Sequence, residues 1–153
     1  MPYIKKEMRP PFDAFVDTVA AEILVGKEVS ETTVKVITDN LLSRPLDEID
    51  GCLNYFITKL FKRFNLHVQP SNALYIGEPV IKRVLRAIID KVYAPKYFNY
   101  NRACGMLFCC GSEFKRRYGE NYAHRLLIKL AEEYYAQPVG PYEDRKIAEN
   151  GDV

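Results

Sequence analysis

The sequence lacks any uninterrupted apolar stretch of the roughly 18 to 20 residues that a membrane-spanning helix needs. Its first residues, 1–7, contain no apolar segment that would serve as a signal peptide. It also lacks the biased composition of collagen-like or disordered chains, because 48% of its 153 residues are apolar and 27% are charged. We therefore expect a folded cytoplasmic protein with no membrane partner.

Cysteine and histidine are scarce, and their spacing suits neither a disulfide framework nor a zinc site. The chain has four cysteines and two histidines: Cys52, Cys104, Cys109, Cys110, His67 and His124. Three of the cysteines fall within one predicted helix, where neighbouring side chains point about 100° apart and do not converge. We expect reduced thiols that act as small core residues beside Gly105 and Gly111, where two helices approach closely, and we predict no metal.

Arrangements typical of catalysis are absent as well. The carboxylate pairs Asp13 with Asp17 and Glu132 with Glu133 have no metal-binding partner at matching spacing, which is typical of exposed helix faces. No serine or cysteine lies in a nucleophile elbow, and no glycine pattern forms a phosphate loop. The sequence therefore predicts no catalytic residue and no cofactor.

Helical periodicity is what the sequence does contain, since apolar residues recur at spacings of three and four in six segments. The predicted helices begin at Pro10, after the N-cap Ser30, after Gly51, at Pro79, at Tyr100 and after Asn121. In the same order they end at Gly26, Pro45, Asn65, Pro95, Gly119 and Pro138. Residues 66–77 are predicted as a connection with a short helical turn at 73–76. Alternating strand patterns are missing, so we predict an all-α protein.

The predicted organisation is one helical domain over residues 1–153, with a bundle of about six helices at 1–137 and a polar tail at 138–153. Residues 141–149 of the tail predict one more short helix that is too short and too polar to be stable alone. We therefore expect this helix to dock on a surface through Tyr142, Glu143, Asp144 and Ile147.

Charge is distributed unevenly along the chain. Residues 51–130 contain 14 Lys and Arg and 4 Asp and Glu, whereas residues 1–50 and 131–153 each have a net charge of −4. We call these three parts the basic middle and the two acidic ends. The basic middle contains three clusters: Lys59, Lys62 and Arg63; Lys82, Arg83 and Arg86; Lys115, Arg116 and Arg117.

The three clusters have two interpretations. In the first interpretation, the clusters converge on an anionic ligand. The candidate residues for this site are Arg63, Lys82, Arg83, Arg86, Lys115, Arg116 and Arg117. Alternatively they are solvated helix faces that acidic residues of the same chain or of another subunit offset.

Three functions from different classes follow. The favoured one is a non-enzymatic, homo-oligomeric binding or assembly protein, in which the basic middle meets the acidic ends of another copy or an anionic, nucleotide-like ligand. The second is nucleic-acid binding, in which tyrosines alternate with the cations; the candidates are Tyr55, Tyr93, Tyr97, Tyr100 and Tyr118. Their positions at the edges of apolar stripes are also typical of half-buried tyrosines. The third is a hydrolase or transferase acting on a phosphorylated small molecule, with Arg83, Arg86 or Arg116 holding phosphate and His124 as acid or base.

Four short blocks give the chain a family resemblance. They are Met1-Pro2-Tyr3-Ile4, residues 51–58 with Leu53-Asn54-Tyr55-Phe56-Ile57-Thr58, residues 105–117, and the tail from Pro141-Tyr142-Glu143-Asp144 through Lys146-Ile147 to Asn150-Gly151-Asp152-Val153. In this order they resemble a family of small uncharacterised proteins of phages and prokaryotes. The resemblance implies a small intracellular helical protein, phage-encoded in some relatives, and it supplies no catalytic or binding residue.

Overall fold

The computed structural model describes residues 4–151, and this part of the chain forms seven α-helices and no strand. The helices are α1 (Pro10–Leu24), α2 (Glu31–Leu42), α3 (Leu46–Arg63), α4 (Glu78–Val92), α5 (Tyr97–Tyr118), α6 (Tyr122–Tyr134) and α7 (Gly140–Asn150). The prediction of an all-α bundle with a short additional C-terminal helix is thus confirmed. Residues 1–3 of the opening block and 152–153 of the tail lie outside the described residues. None of the described helices combines the length and apolar character needed to cross a bilayer.

Local side chains define several helix ends where the sequence predicted them. The Ser30 hydroxyl accepts a hydrogen bond from the Thr33 amide at 3.1 Å, which caps the start of α2. The Asn121 side chain accepts a hydrogen bond from the His124 amide at 2.9 Å, which caps α6 in the same way. Asn65, with φ of 55°, adopts the left-handed conformation that ends α3.

The predicted start of α3 is wrong by one and a half turns, because the helix begins at Leu46 rather than after Gly51. Pro45 occupies the N-cap position, and Asp47 and Glu48 complement the positive end of the helix dipole in the first turn. Gly51 lies inside this helix at a close approach to the N-terminal segment, since a Cβ atom there would lie 3.3 Å from a methyl carbon of Ile4.

Two further expectations about the connections are wrong. Residues 73–76 contain no helical turn, and the short 3₁₀ turn of this connection lies instead at Leu66–Val68. Pro138 does not end a helix, because a π turn at Tyr135–Val139 carries the chain from α6 directly into α7. Proline lacks an amide hydrogen and clashes with the preceding turn of an α-helix, and a widened turn relieves both constraints.

The hydrophobic core is one continuous cluster of side chains that extends from Ile4 to Val139. Helix α3 contributes eight side chains to it and also buries the polar Thr58. Its neighbour α5 runs in the same direction, since Arg102 binds Asp50, the thiol of Cys110 lies 3.5 Å from the Thr58 hydroxyl, and Phe114 lies 6.2 Å from Phe61 between ring centroids. This parallel pairing places the carboxyl termini of α3 and α5 at the same end of the bundle.

Helices α5 and α6 cross closely at Gly111, where a Cβ atom would lie 3.1 Å from the Cβ of Leu127 and 3.2 Å from the Cδ1 of Ile128. This confirms the expected close approach at Gly111. The same expectation is wrong for Gly105, which faces open space on the exposed side of α5. It is also wrong for Cys109, whose side chain is exposed rather than part of the core.

A half-buried ion pair joins the amino-terminal halves of α3 and α5. The guanidinium of Arg102 binds both carboxylate oxygens of Asp50, with Nε at 3.0 Å and Nη2 at 2.8 Å. The Tyr93 hydroxyl donates to the same carboxylate at 2.7 Å, and burial followed by this hydrogen bond raises the pKa of Tyr93 above its usual range. Three segments of the chain are therefore joined at one carboxylate.

We predict that Arg102→Met lowers the free energy of unfolding by about 2 kcal/mol, because it removes two charge-assisted hydrogen bonds from the half-buried Asp50 carboxylate, which keeps the bond from the Tyr93 hydroxyl. The control Lys35→Met removes an exposed ion pair with Asp39 within α2 and should cost less than about 1 kcal/mol. Urea unfolding measures both. Equal losses in the two variants would contradict the structural role of Arg102.

We predict opposite effects for the two glycines of α5. Gly105→Ala should stabilise the protein by about 1 kcal/mol, because alanine favours helix and its methyl group meets open space. Gly111→Ala should destabilise it by about 1–3 kcal/mol, because the Leu127 Cβ is fixed to the α6 backbone and cannot rotate away. Thermal unfolding of both variants checks this, and a stabilised Gly111→Ala protein would contradict the close crossing.

Candidate anion-binding site

The first and third basic clusters meet at one end of the bundle, which we call the cationic end. Lys62 and Arg63 lie in the last turn of α3, and residues 115–117 lie in the last turn of α5. The Lys62 ammonium and the Arg117 guanidinium lie 5.7 Å and 5.9 Å from the ring centroid of Tyr118. Positive side chains also offset the negative dipole end of each helix, which is one local reason for their position.

At least three of the six cations of these two clusters have carboxylate partners in the described chain: Arg63, Lys115 and Arg116. Arg63 binds Asp17 of α1 at 2.7 Å. Arg116 binds Glu113 one turn earlier at 2.5 Å, and this hydrogen bond lowers the pKa of Glu113 to about 2. Lys115 lies 3.6 Å from Glu120, a longer and more exposed contact. These pairs reduce the charge that is available to an outside ligand.

Lys59 and Lys62 are different, because neither makes an ion pair within residues 4–151. Together with Arg63 they line a groove of about 370 Å³ between α1 and α3, whose other polar residues are Asp13 and Asp17. Both aspartates already accept a hydrogen bond, one from Arg63 and the other from the Tyr55 hydroxyl at 2.7 Å. Burial, followed by the Asp13 contact, raises the pKa of Tyr55 to about 12. The two lysines are left as unpaired cations of the groove.

The second cluster lies elsewhere, on α4, and each of its members pairs with a carboxylate. The pairs are Lys82 with Glu133 at 2.9 Å, Arg83 with Glu28 at 3.0 Å from its Nε, and Arg86 with Asp90 at 3.1 Å. Arg86 also donates to the side-chain oxygen of Gln137. The structure therefore brings together two of the three predicted clusters and separates the third.

Carboxylates of the acidic ends form ion pairs with at least four cations of the basic middle. Arg63, Arg83 and Arg102 bind carboxylates of residues 1–50, and Lys82 binds one of residues 131–153. The alternative interpretation, that acidic residues of the same chain offset the clusters, therefore describes most of these cations. Sequence reasoning named Arg63 as the candidate of the first cluster, whereas the structure leaves its neighbours Lys59 and Lys62 unpaired. Nothing in the sequence marks this difference, since Asp17 lies 46 residues from Arg63.

The residues of the phosphoryl hypothesis do not share a site. His124 lies on α6, where its Nδ1 contacts the carbonyl oxygen of Gly111 at 3.0 Å. It lines a shallow groove that also includes Arg125 and Lys129, and none of Arg83, Arg86 and Arg116 lines that groove. Among residues 4–151, no three His, Cys, Asp or Glu side chains are grouped as a metal site requires.

Of the four predicted tail-docking residues, Tyr142 alone makes a docking contact within the described chain. Its ring packs edge-on against Tyr100 of α5 with 5.2 Å between centroids. Glu143 and Asp144 make no ion pair with any described residue, and Ile147 is 42% exposed rather than buried as expected. No residue of α7 is buried.

The four thiols should differ sharply in reactivity, because burial raises the pKa of Cys110 to about 12 and also raises that of Cys52 and Cys104. Cys109 is the exposed thiol. We predict that one thiol of the folded protein reacts rapidly with a water-soluble disulfide reagent at pH 8, and that the Cys109→Ser variant lacks this rapid reaction. Cys52 and Cys110 should react fully after unfolding. Rapid reaction of Cys110 in the folded protein would contradict the described packing.

Comparison with known protein families gives a match for this chain. Residues 1–129 match the family model of a domain of unknown function, DUF6899, so most of the bundle lies within the match and α7 lies beyond it. No curated protein and no solved structure is significantly similar to the chain. The match covers well over half of the sequence and confirms the expected uncharacterised family: the chain belongs to the DUF6899 family.

Proposed function

We propose that this protein is a non-enzymatic binding and assembly protein whose cationic end holds an anionic partner and whose copies associate with one another. The compartment in this proposal is the cytoplasm, or the host cytoplasm if the gene belongs to a phage, in line with the expectation of reduced thiols. Catalysis is not part of the proposal, because His124 and the candidate phosphate-binding arginines do not share a groove.

The observation that carries the proposal is the pair of unmatched lysines. Lys59 is exposed and Lys62 half-buried, and they share one groove with Arg63 while other cations nearby are bound to carboxylates. Asp13 and Asp17 line the same groove, so its three cations and two carboxylates leave a net charge of +1. A phosphate-bearing partner would contact Lys59 and Lys62 while Arg63 stays bound to Asp17.

Nucleic acid is the second candidate, and one observation favours it. Tyr118 is 39% exposed, and the Lys62 ammonium and the Arg117 guanidinium lie 5.7 Å and 5.9 Å from its ring centroid. The ring also packs against His67 and Phe114, which leaves part of it accessible. A partly exposed aromatic ring beside cations is typical of surfaces that stack bases of single-stranded nucleic acid. This candidate uses the same surface and differs from the first in requiring the ring.

The test is binding of a fluorescent single-stranded oligonucleotide, with inorganic polyphosphate as competitor, at about 50 and about 200 mM salt. We predict that Lys59→Gln with Lys62→Gln weakens binding and reduces the slope of log K against log salt by about 1.4, as expected for two lost phosphate contacts. The matched control, Lys91→Gln with Lys96→Gln, removes two exposed lysines of α4 and the turn that follows it, neither of which makes an ion pair with any of residues 4–151, and it should leave binding unchanged.

The competitor separates the two candidates. Displacement by polyphosphate with no effect of Tyr118→Leu supports a general phosphate-bearing partner, whereas a large loss in Tyr118→Leu supports nucleic acid. Absence of binding to either probe at the lower salt concentration, or equal losses in the two lysine double variants, would overturn the assignment of the cationic end.

A further inference from the structure

His67 lies at the cationic end, in the 3₁₀ turn Leu66–Val68 that follows α3. Its half-buried ring packs edge-on against Tyr118, with 4.9 Å between the ring centroids. The Lys62 ammonium lies 5.7 Å from the centroid of the same Tyr118 ring. Lys62 also lines the groove of the proposed anion site. His67 is therefore close to a cation of that site that has no ion-pair partner among the described residues.

A positive charge on the His67 ring is unfavourable in the protein without a partner. Its Nδ1 atom is buried and has no hydrogen-bond partner among residues 4–151, so a proton on this atom has no acceptor. Burial, followed by the charge of Lys62, lowers the pKa of His67 below its ordinary value. The ring is therefore neutral near pH 7.

The surroundings of His67 contain cations, and the carboxylates at this end of the bundle are engaged with other side chains. The 3₁₀ turn packs against α3, α5 and α6. The charged or titratable side chains that these helices contribute around it are Lys62 from α3, Arg117 and Tyr118 from α5, and Tyr122 from α6. The engaged carboxylates are Glu113 with Arg116, Glu120 with Lys115, and Glu78 with Tyr122. A protonated His67 ring thus lacks an anion beside it.

We infer that binding of a phosphate-bearing partner beside Lys62 is coupled to protonation of the His67 ring, so that the cationic end binds its partner more tightly at acidic pH. The proton comes from solvent and converts the neutral imidazole to imidazolium. A bound phosphate offsets the charge of Lys62 and attracts the new charge directly, and both effects favour the protonated ring.

Coupling between two sites is reciprocal, so a proton on His67 strengthens anion binding by the same factor by which the anion strengthens proton binding. This inference rests on the anion-binding half of the proposed function and adds the regulation of that site by pH. It requires no change in the fold, since the ring already lies beside Tyr118 and near Lys62.

Binding of a single-stranded oligothymidylate at about pH 7.5 and about pH 5.5, at constant low salt, tests the inference. Its thymines and internal phosphodiesters do not titrate in this interval. The probe carries a pH-insensitive dye and no terminal phosphate, because the second pKa of a terminal phosphate lies near 6. We predict about three- to tenfold tighter binding at the lower pH, since a coupled pKa change of one unit corresponds to a factor of ten.

His67→Gln keeps a polar side chain that does not titrate. It should bind the probe like the unaltered protein at about pH 7.5, where His67 is neutral, and should lose the gain at about pH 5.5. The matched control, His124→Gln, removes the only other histidine of the chain, which lines a different groove with Arg125 and Lys129, and should retain the full gain. Equal gains in the two variants, or an equal loss in His67→Gln at both pH values, overturn the inference.

Proton NMR of the imidazole rings tests the inference in the unaltered protein, even if His67→Gln does not fold. The spectrum of His124→Gln identifies the His67 signal. We expect the pKa of His67 to rise by about one half to one unit on saturation with oligothymidylate. An unchanged His67 titration with the probe bound overturns this inference alone. Absence of oligothymidylate binding at both pH values overturns the anion-binding half of the proposed function together with it.

Discussion

Helices α3 and α5 pack with their chains running in the same direction, and a parallel pair brings both carboxyl termini to one end of a bundle. Three contacts along the pair, at Asp50, Thr58 and Phe61 of α3, maintain this register. Each of these helices ends in basic residues, so the pairing gathers two clusters that are more than 50 residues apart in sequence. The cationic end is therefore a consequence of helix direction.

The same packing requires compensation of charge, and the acidic ends of the chain supply it. Arg102 is held at a half-buried position because Asp50 and Tyr93 meet it there. More exposed pairs, such as Arg63 with Asp17, contribute less to stability, since water screens them. They occupy some of the cations and leave Lys59 and Lys62 without an ion pair among the described residues, and under the proposed function these two lysines would contact the anionic partner.

The periodicity of the sequence was sufficient for the fold class, because amphipathic spacing and the caps at Ser30 and Asn121 are local signals. It failed at Gly51 and Pro138, where tertiary packing and a widened turn allow residues that usually end helices. The sequence periodicity also could not show which charged side chains lack an ion-pair partner. Which lysine remains unpaired depends on a carboxylate dozens of residues away, and this is set by how α1 lies against α3.

Charged groups of opposite sign therefore remain without an ion-pair partner among the described residues: Lys59 and Lys62 in the groove between α1 and α3, and Glu143 and Asp144 on α7. A chain with such complementary surfaces can satisfy them by binding another copy, an anion, or both. The mass of the native protein, measured in low-salt buffer so that any copurified anion is retained, tests this account most directly. The account predicts a mass of at least two 17.7 kDa chains. A single chain that carries no anion would contradict it.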